Sequence, residues 1–211
     1  MSSKQAKINV YLLLPLNLLL FPFLMKFKFE KQTIYYALTK FSMSFLFFLA
    51  GVVNKQNYSR KLGLFLYMVA DMLIIKDLVS ASLTFSLGHY FIVRSNRSRF
   101  PVSKLVSAAI LPAPIIILMR LFSNLSINQC LGLYIYVSTV SFPVINFVNV
   151  DKLDVLGAFL FFISDNCLVI NKFLQQMELL QVFYLGTYYL GCNVYAMNAV
   201  KCKKVEEGTS K

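Results

Sequence analysis

The chain alternates long apolar runs with short basic connections. Runs near the ~20 residues that cross a bilayer fall at about 8–25, 34–53, 61–76, 78–94, 102–119, 130–148, 154–171 and 179–200. The third and fourth meet at Lys76 and Asp77 with almost nothing between them, which predicts a tight helical hairpin. Pro15, Pro22, Pro112, Pro114 and Pro143 lie within or at the ends of these runs, where proline is better tolerated in lipid than in a soluble helix. The pattern predicts an all-α, polytopic membrane helix bundle of about eight transmembrane helices. Residues 1–211 form one integral membrane domain, with short tails at 1–7 and 201–211. The first run has a basic flank like a signal peptide but no small-residue cleavage site, so it reads as a first membrane helix.

Polar positions inside the runs point to chemistry. Gly157 to Phe173 carries Asp165 in an otherwise apolar helix, and an ionisable residue at that depth is functional by default. Gly63 to Ile75 repeats the pattern, with Gly63, Phe65, Leu66 and Asp71 falling on Gly157, Phe159, Leu160 and Asp165. Four spans separate the two aspartates. They are expected at matching depth in a parallel four-plus-four repeat, an arrangement that places sites at the repeat interface.

Other polar side chains reach a similar level. Lys40 lies ~20 Å from the cytoplasmic end of the second run and is expected to pair with one of the aspartates. Thr187, Tyr188 and Tyr189 come down from the opposite side, and Asn171 and Lys172 lie one to two turns beyond Asp165. His89 is shallower, a gate or headgroup contact. Each has a plainer reading: a structural ion pair for Lys40 with an aspartate, packing for His89, and core or interfacial aromatics for Tyr188 and Tyr189.

Composition agrees with a membrane protein: 58% of the 211 residues are hydrophobic and 14% charged. The net charge of +12 would suggest nucleic acid in a soluble protein. Here the cations sit in loops and tails, and they act as topology signals with no nucleic-acid partner implied. Lys4, Lys7, Lys55, Arg60, Lys61, Arg94, Arg97, Arg99, Lys104, Lys152 and the C-terminal lysines fall on one side, against Lys26, Lys28, Lys31, Arg120 and Lys172 on the other. Both termini are therefore expected to be cytoplasmic. The four cysteines lack zinc-type spacing, and a single histidine argues against a His-rich metal site, so no metal and no cofactor are expected.

The seventh and eighth runs, SDNCLVINKF followed by YLGTYYLG, resemble the lysoplasmalogenase-like family of eight-span membrane proteins, the YhhN family. YSRKLGLFLYMVADMLI resembles the family's G-D helix, and LTFSLGHYFIV its following helix. Ala70 stands where the family usually has glycine before the aspartate, and Met43 stands in the place of a proline after Lys40. The resemblance implies hydrolysis of the vinyl ether bond of lysoplasmalogens, choline or ethanolamine forms, to a fatty aldehyde and a glycerophospho-base. An endoplasmic reticulum membrane and a lysophospholipid substrate go with it. Asp71 and Asp165 are the catalytic candidates, in an order the residues leave open. Lys40, His89, Asn171, Lys172, Thr187 and Tyr188 are the candidates for substrate binding or support. Two carboxylates suit the reaction, since one can donate a proton while the other faces an oxocarbenium ion. A small membrane transporter or a non-catalytic lysolipid-binding relative is the alternative.

Overall fold

The computed structural model describes residues 3–53, 57–95, individual positions between 126 and 138, 152–173 and 176–198. Among the described residues there are six helices and no strand: α1 (Ser3–Phe29), α2 (Thr33–Val53), α3 (Tyr58–Leu73), α4 (Leu78–Ser95), α5 (Lys152–Phe173) and α6 (Glu178–Asn198). The run expected at 102–119 and most of the run at 130–148 lie outside the described residues.

Two helices, Thr33–Val53 and the Lys152–Lys172 stretch of α5, are long and apolar enough to cross a membrane. Only 39% of each window is buried, unlike the core helix of a soluble domain. α3 has 16 residues, or ~24 Å of helix, short of a ~30 Å hydrocarbon core. Large apolar side chains face outward on several helices, among them Leu18 at 65%, Leu19 at 66% and Ile34 at 73% exposure.

The turns explain why the helices stop where they do. α3 ends at Leu73, three residues before the apolar run does, because Asp77 caps the start of α4. Its carboxylate accepts from the Val79 and Ser80 amides at 3.1 Å and from the Ser80 hydroxyl. Those bonds, the Ser80 hydroxyl first, hold the Asp77 carboxyl below the usual carboxylate range. α1 ends in a Schellman turn, with the Gln32 amide bonded to the Phe27 carbonyl at 2.9 Å and the Lys31 amide to the Lys28 carbonyl at 3.2 Å. Lys31 takes the left-handed position of that turn, φ 55°, where glycine is the favoured residue.

α3 packs antiparallel on α4, and α5 on α6, by the same device. A Cβ added at Gly63 would stand 2.8 Å from the Ile92 side chain and 3.0 Å from the Gly88 carbonyl oxygen. One added at Gly157 would stand 2.7 Å from the Tyr195 ring, and Gly191 faces Phe161 as Gly88 faces Tyr67. Small residues at the crossing let the backbones close up. The two hairpins also meet each other. The Tyr67 and Phe161 ring centroids are 5.2 Å apart, and the buried Arg60 Nη2 lies 2.6 Å from Asp154 Oδ1 at the starts of α3 and α5. α6 also packs on α2 and α1, with Asn17 donating to Asn193 at 2.9 Å in a buried α1–α6 link.

Candidate active site

Asp71 and Asp165 are each the fourteenth residue of their helix, counted from Tyr58 and from Lys152. Equal register, and hairpins assembled alike, bring both carboxylates to one cavity of about 440 Å³. It enters from the end of the bundle where α1, α3 and α5 finish: Lys28, Ile74 and Lys172 line it there, together with Thr33 and Gln181 from the first turns of α2 and α6.

The floor is a buried polar cluster. Lys40 Nζ of α2 lies 2.7 Å from Asp71 Oδ1. The other Asp71 oxygen accepts from the Tyr188 hydroxyl of α6 at 2.9 Å and from the Ser44 hydroxyl of α2. Ser44 follows Lys40 by one helical turn, so both face α3. Three donors from two helices thus hold one carboxylate, which is how a charge survives burial. The Lys40 ammonium also stands 5.6 Å and 5.9 Å from the ring centroids of Tyr188 and Tyr189.

Asp165 is buried and lines the same cavity from α5. Its neighbour Ser164 donates to the Tyr184 carbonyl at 2.9 Å and fixes α5 against α6 beside it. The two aspartates therefore share a cavity from different helices. Asp71 is neutralised by the Lys40 ammonium, and Asp165 shares its wall with Phe85, Leu168 and Leu185.

The remaining candidates divide. Asn171 and Lys172 line the mouth, and the Asn171 side-chain oxygen accepts from the Met177 amide at 2.8 Å, closing the α5–α6 turn. Thr187 bonds back to its own helix, 2.9 Å to the Phe183 carbonyl, and is not part of the cavity wall. His89 is also off the wall, fully buried between the Tyr67 and Phe161 rings, with Nδ1 2.6 Å from the Tyr67 hydroxyl. Helical rotation turns it into the hairpin interface, away from the mouth.

The cavity also gathers residues that the hydrophobic pattern does not single out. Lys28, in the last turn of α1, has its Nζ 2.8 Å from the Tyr184 hydroxyl and 5.5 Å and 5.2 Å from the Tyr36 and Tyr184 ring centroids. Burial first, then the Lys40 charge, bring its ammonium down to about 8. Ser44 is legible as the residue one turn after Lys40, and Tyr184 as the residue one turn before Tyr188. Nothing in the sequence marks Lys28 as different from Lys26.

Comparison with known proteins gives a family and no individual relative. The YhhN family model matches residues 22–197, a span that includes every residue of the floor and mouth. No curated protein and no solved structure matches the chain.

Proposed function

The chain belongs to the YhhN family, and from that premise we propose that it is a membrane lysoplasmalogenase. In this reading it hydrolyses the vinyl ether of single-chain plasmalogens to a fatty aldehyde and a glycerophospho-base. The observation that carries the reading is the pair of buried aspartates on one cavity, one of them ion-paired to Lys40.

The Lys40 ion pair supports one order of roles, in which the carboxylate it neutralises is the one kept as an anion. Asp165 gives its proton to the distal vinyl carbon, and the C=C bond becomes a C–C bond with an oxocarbenium ion at the adjacent carbon. Asp71, balanced by Lys40 and held by Tyr188 and Ser44, faces that cation. Water adds to the oxocarbenium carbon and returns a proton to Asp165, giving a hemiacetal. The bond to the glycerol oxygen then breaks as the hemiacetal hydroxyl loses its proton and the glycerol oxygen gains one. One water is consumed, no redox change occurs and the acid is regenerated.

The membrane arrangement belongs to the same proposal. α4 finishes, and α5 starts, at the end of the bundle remote from the mouth, so an even number of crossings fits between them. The runs at 102–119 and 130–148 supply two, which makes eight. Matching hairpins with matching aspartate depth support the four-plus-four repeat. Loop charge favours both termini in the cytoplasm, with the cavity mouth on the opposite face of the membrane, and an endoplasmic reticulum location goes with the family reading.

The test is aldehyde release from lysoplasmenyl-ethanolamine by purified protein in detergent micelles, with Asp165→Asn as the paired control. Release by the wild type and not by the variant is expected. Equal release by both would take Asp165 out of the chemistry, and no release by either would leave a lysolipid binder or transporter.

A further inference from the structure

The cavity mouth is cationic in a way that the vinyl ether chemistry does not require. Lys28, Lys31 and Lys172 all line it, from the end of α1, the turn after it and the end of α5. Three carboxylates are described at that end of the bundle outside the cavity. Glu30 accepts from the Gln32 amide group at 2.9 Å, Asp77 caps α4 and also feels the Lys172 charge, and Glu178 lies in the first turn of α6. None of them is on the cavity wall, whose carboxylates among the described residues are Asp71 and Asp165 on the floor.

Two of the lysines are placed at a structural disadvantage. Lys28 is half-buried, clamped between the faces of Tyr36 and Tyr184 and hydrogen-bonded to the Tyr184 hydroxyl. An ammonium that served only as a topology signal would extend into water. Lys31 occupies a left-handed position, φ 55°, where glycine would relieve backbone strain but would remove an ammonium from the mouth. The register of α6 relates this mouth to the floor. Tyr188 holds Asp71 and Tyr184 holds Lys28, and the two tyrosines are one turn apart, ~6 Å along the helix. A glycerol unit bridges a gap of that order between an ether oxygen on the floor and a phosphate above it.

We propose that Lys28 and Lys31, with Lys172 at the rim, are the side chains that hold the phosphate of a ligand in this cavity and set its preference for a phosphate ester over the phosphate-free glycerol ether. The identity of the reacting chain rests on the hydrolase reading; the anion site rests on the mouth alone. Lys28 grips a phosphate oxygen at the depth set by Tyr184, and Lys31 and Lys172 supply the longer-range attraction, which salt weakens.

The experiment compares binding of two non-cleavable probes, an alkyl-ether glycerophosphate and the same alkyl glycerol without phosphate, to full-length protein in uncharged detergent. The wild type is expected to prefer the phosphate probe by about tenfold or more. Lys28→Gln and Lys31→Gly should each reduce that preference several-fold and leave affinity for the phosphate-free probe unchanged, while Lys28→Arg should retain it. Equal affinity of the wild type for both probes, or an unaltered preference in both charge-removing variants, would overturn the site. Aldehyde release from the corresponding alkenyl lipids separates this from the hydrolase reading. A phosphate preference without aldehyde keeps the site and removes the enzyme; aldehyde formed equally well from phosphorylated and phosphate-free lipids keeps the enzyme and removes the site.

Discussion

Lys40 Nζ stands 2.7 Å from Asp71 Oδ1, and neither side chain is more than 4% exposed. Removing one member of such a pair leaves the other buried without its counter-charge, at a cost of about 3–5 kcal/mol. Lys40→Met should therefore lower the unfolding temperature in detergent, and the Lys40→Met/Asp71→Asn double variant should recover part of the loss. A double variant as unstable as the sum of the single ones would show that the two residues do not act as a pair.

Tyr188 donates to Asp71 at 2.9 Å, and a hydrogen bond to a charged group contributes about 1.5–3 kcal/mol. Tyr188→Phe keeps the ring that packs on Phe85 and Phe161 and removes only the donor. Aldehyde release should fall about tenfold or more with binding of the non-cleavable probe unchanged. Wild-type turnover in the variant would mean that the Tyr188 hydroxyl has no part in the reaction.

Gly157→Ala would put a Cβ 2.7 Å from the Tyr195 ring, which is fully buried and has no room to retreat. Overpacking of this kind costs about 1–3 kcal/mol. The α5–α6 hairpin should loosen, read as a lower unfolding temperature, and turnover should fall with it because Asp165 rides on α5.

The Lys28 ammonium lies in the last turn of α1, beyond the expected span at 8–25, and titrates at about 8 against an ordinary 10.5. The charged and titratable groups around its cavity are Lys31 on the turn and Tyr36 and Lys40 from α2. Asp71 of α3, Asp165 and Lys172 of α5, and Tyr184 and Tyr188 of α6 complete the set. As pH rises through about 8, Lys28 loses its charge, so preference for the phosphate probe should decline. Stability should move the other way. With its folded value depressed, the unfolded chain binds more protons than the folded one between about 8 and 10.5, so the Lys28 contribution to stability rises with pH there. Lost phosphate preference without a lower unfolding temperature is the expected signature, and a preference flat from pH 7 to 9.5 would contradict it.

Lys31→Gly relieves a left-handed residue, worth ~1–2 kcal/mol, and adds unfolded-chain freedom costing ~0.5–1 kcal/mol. Relief of backbone strain outweighs the added freedom by a little, so the unfolding temperature should hold or rise slightly while phosphate preference falls. A clear loss of stability would mean that the Lys31 side chain supports the turn in ways its backbone does not reveal.

The sequence by itself determined where the described helices lie, because apolar runs of bilayer length are periodic signals that need no partner. α2 and the start of α4 coincide with expected runs, and α3 stops three residues early only because Asp77 caps the next helix. It also determined that Asp71 and Asp165 share a level, since each is counted from the start of its own helix. Tertiary structure alone decided which aspartate meets Lys40, because an ion pair depends on how α2 and α3 are rotated against each other. It turned His89 into the interface between the two hairpins, against Tyr67 of α3 and Phe161 of α5, where a one-residue rotation outweighs depth. It raised Lys28 from one topology cation among several to the centre of an aromatic clamp, because Tyr36 and Tyr184 come from helices remote in sequence and meet only when α1, α2 and α6 pack.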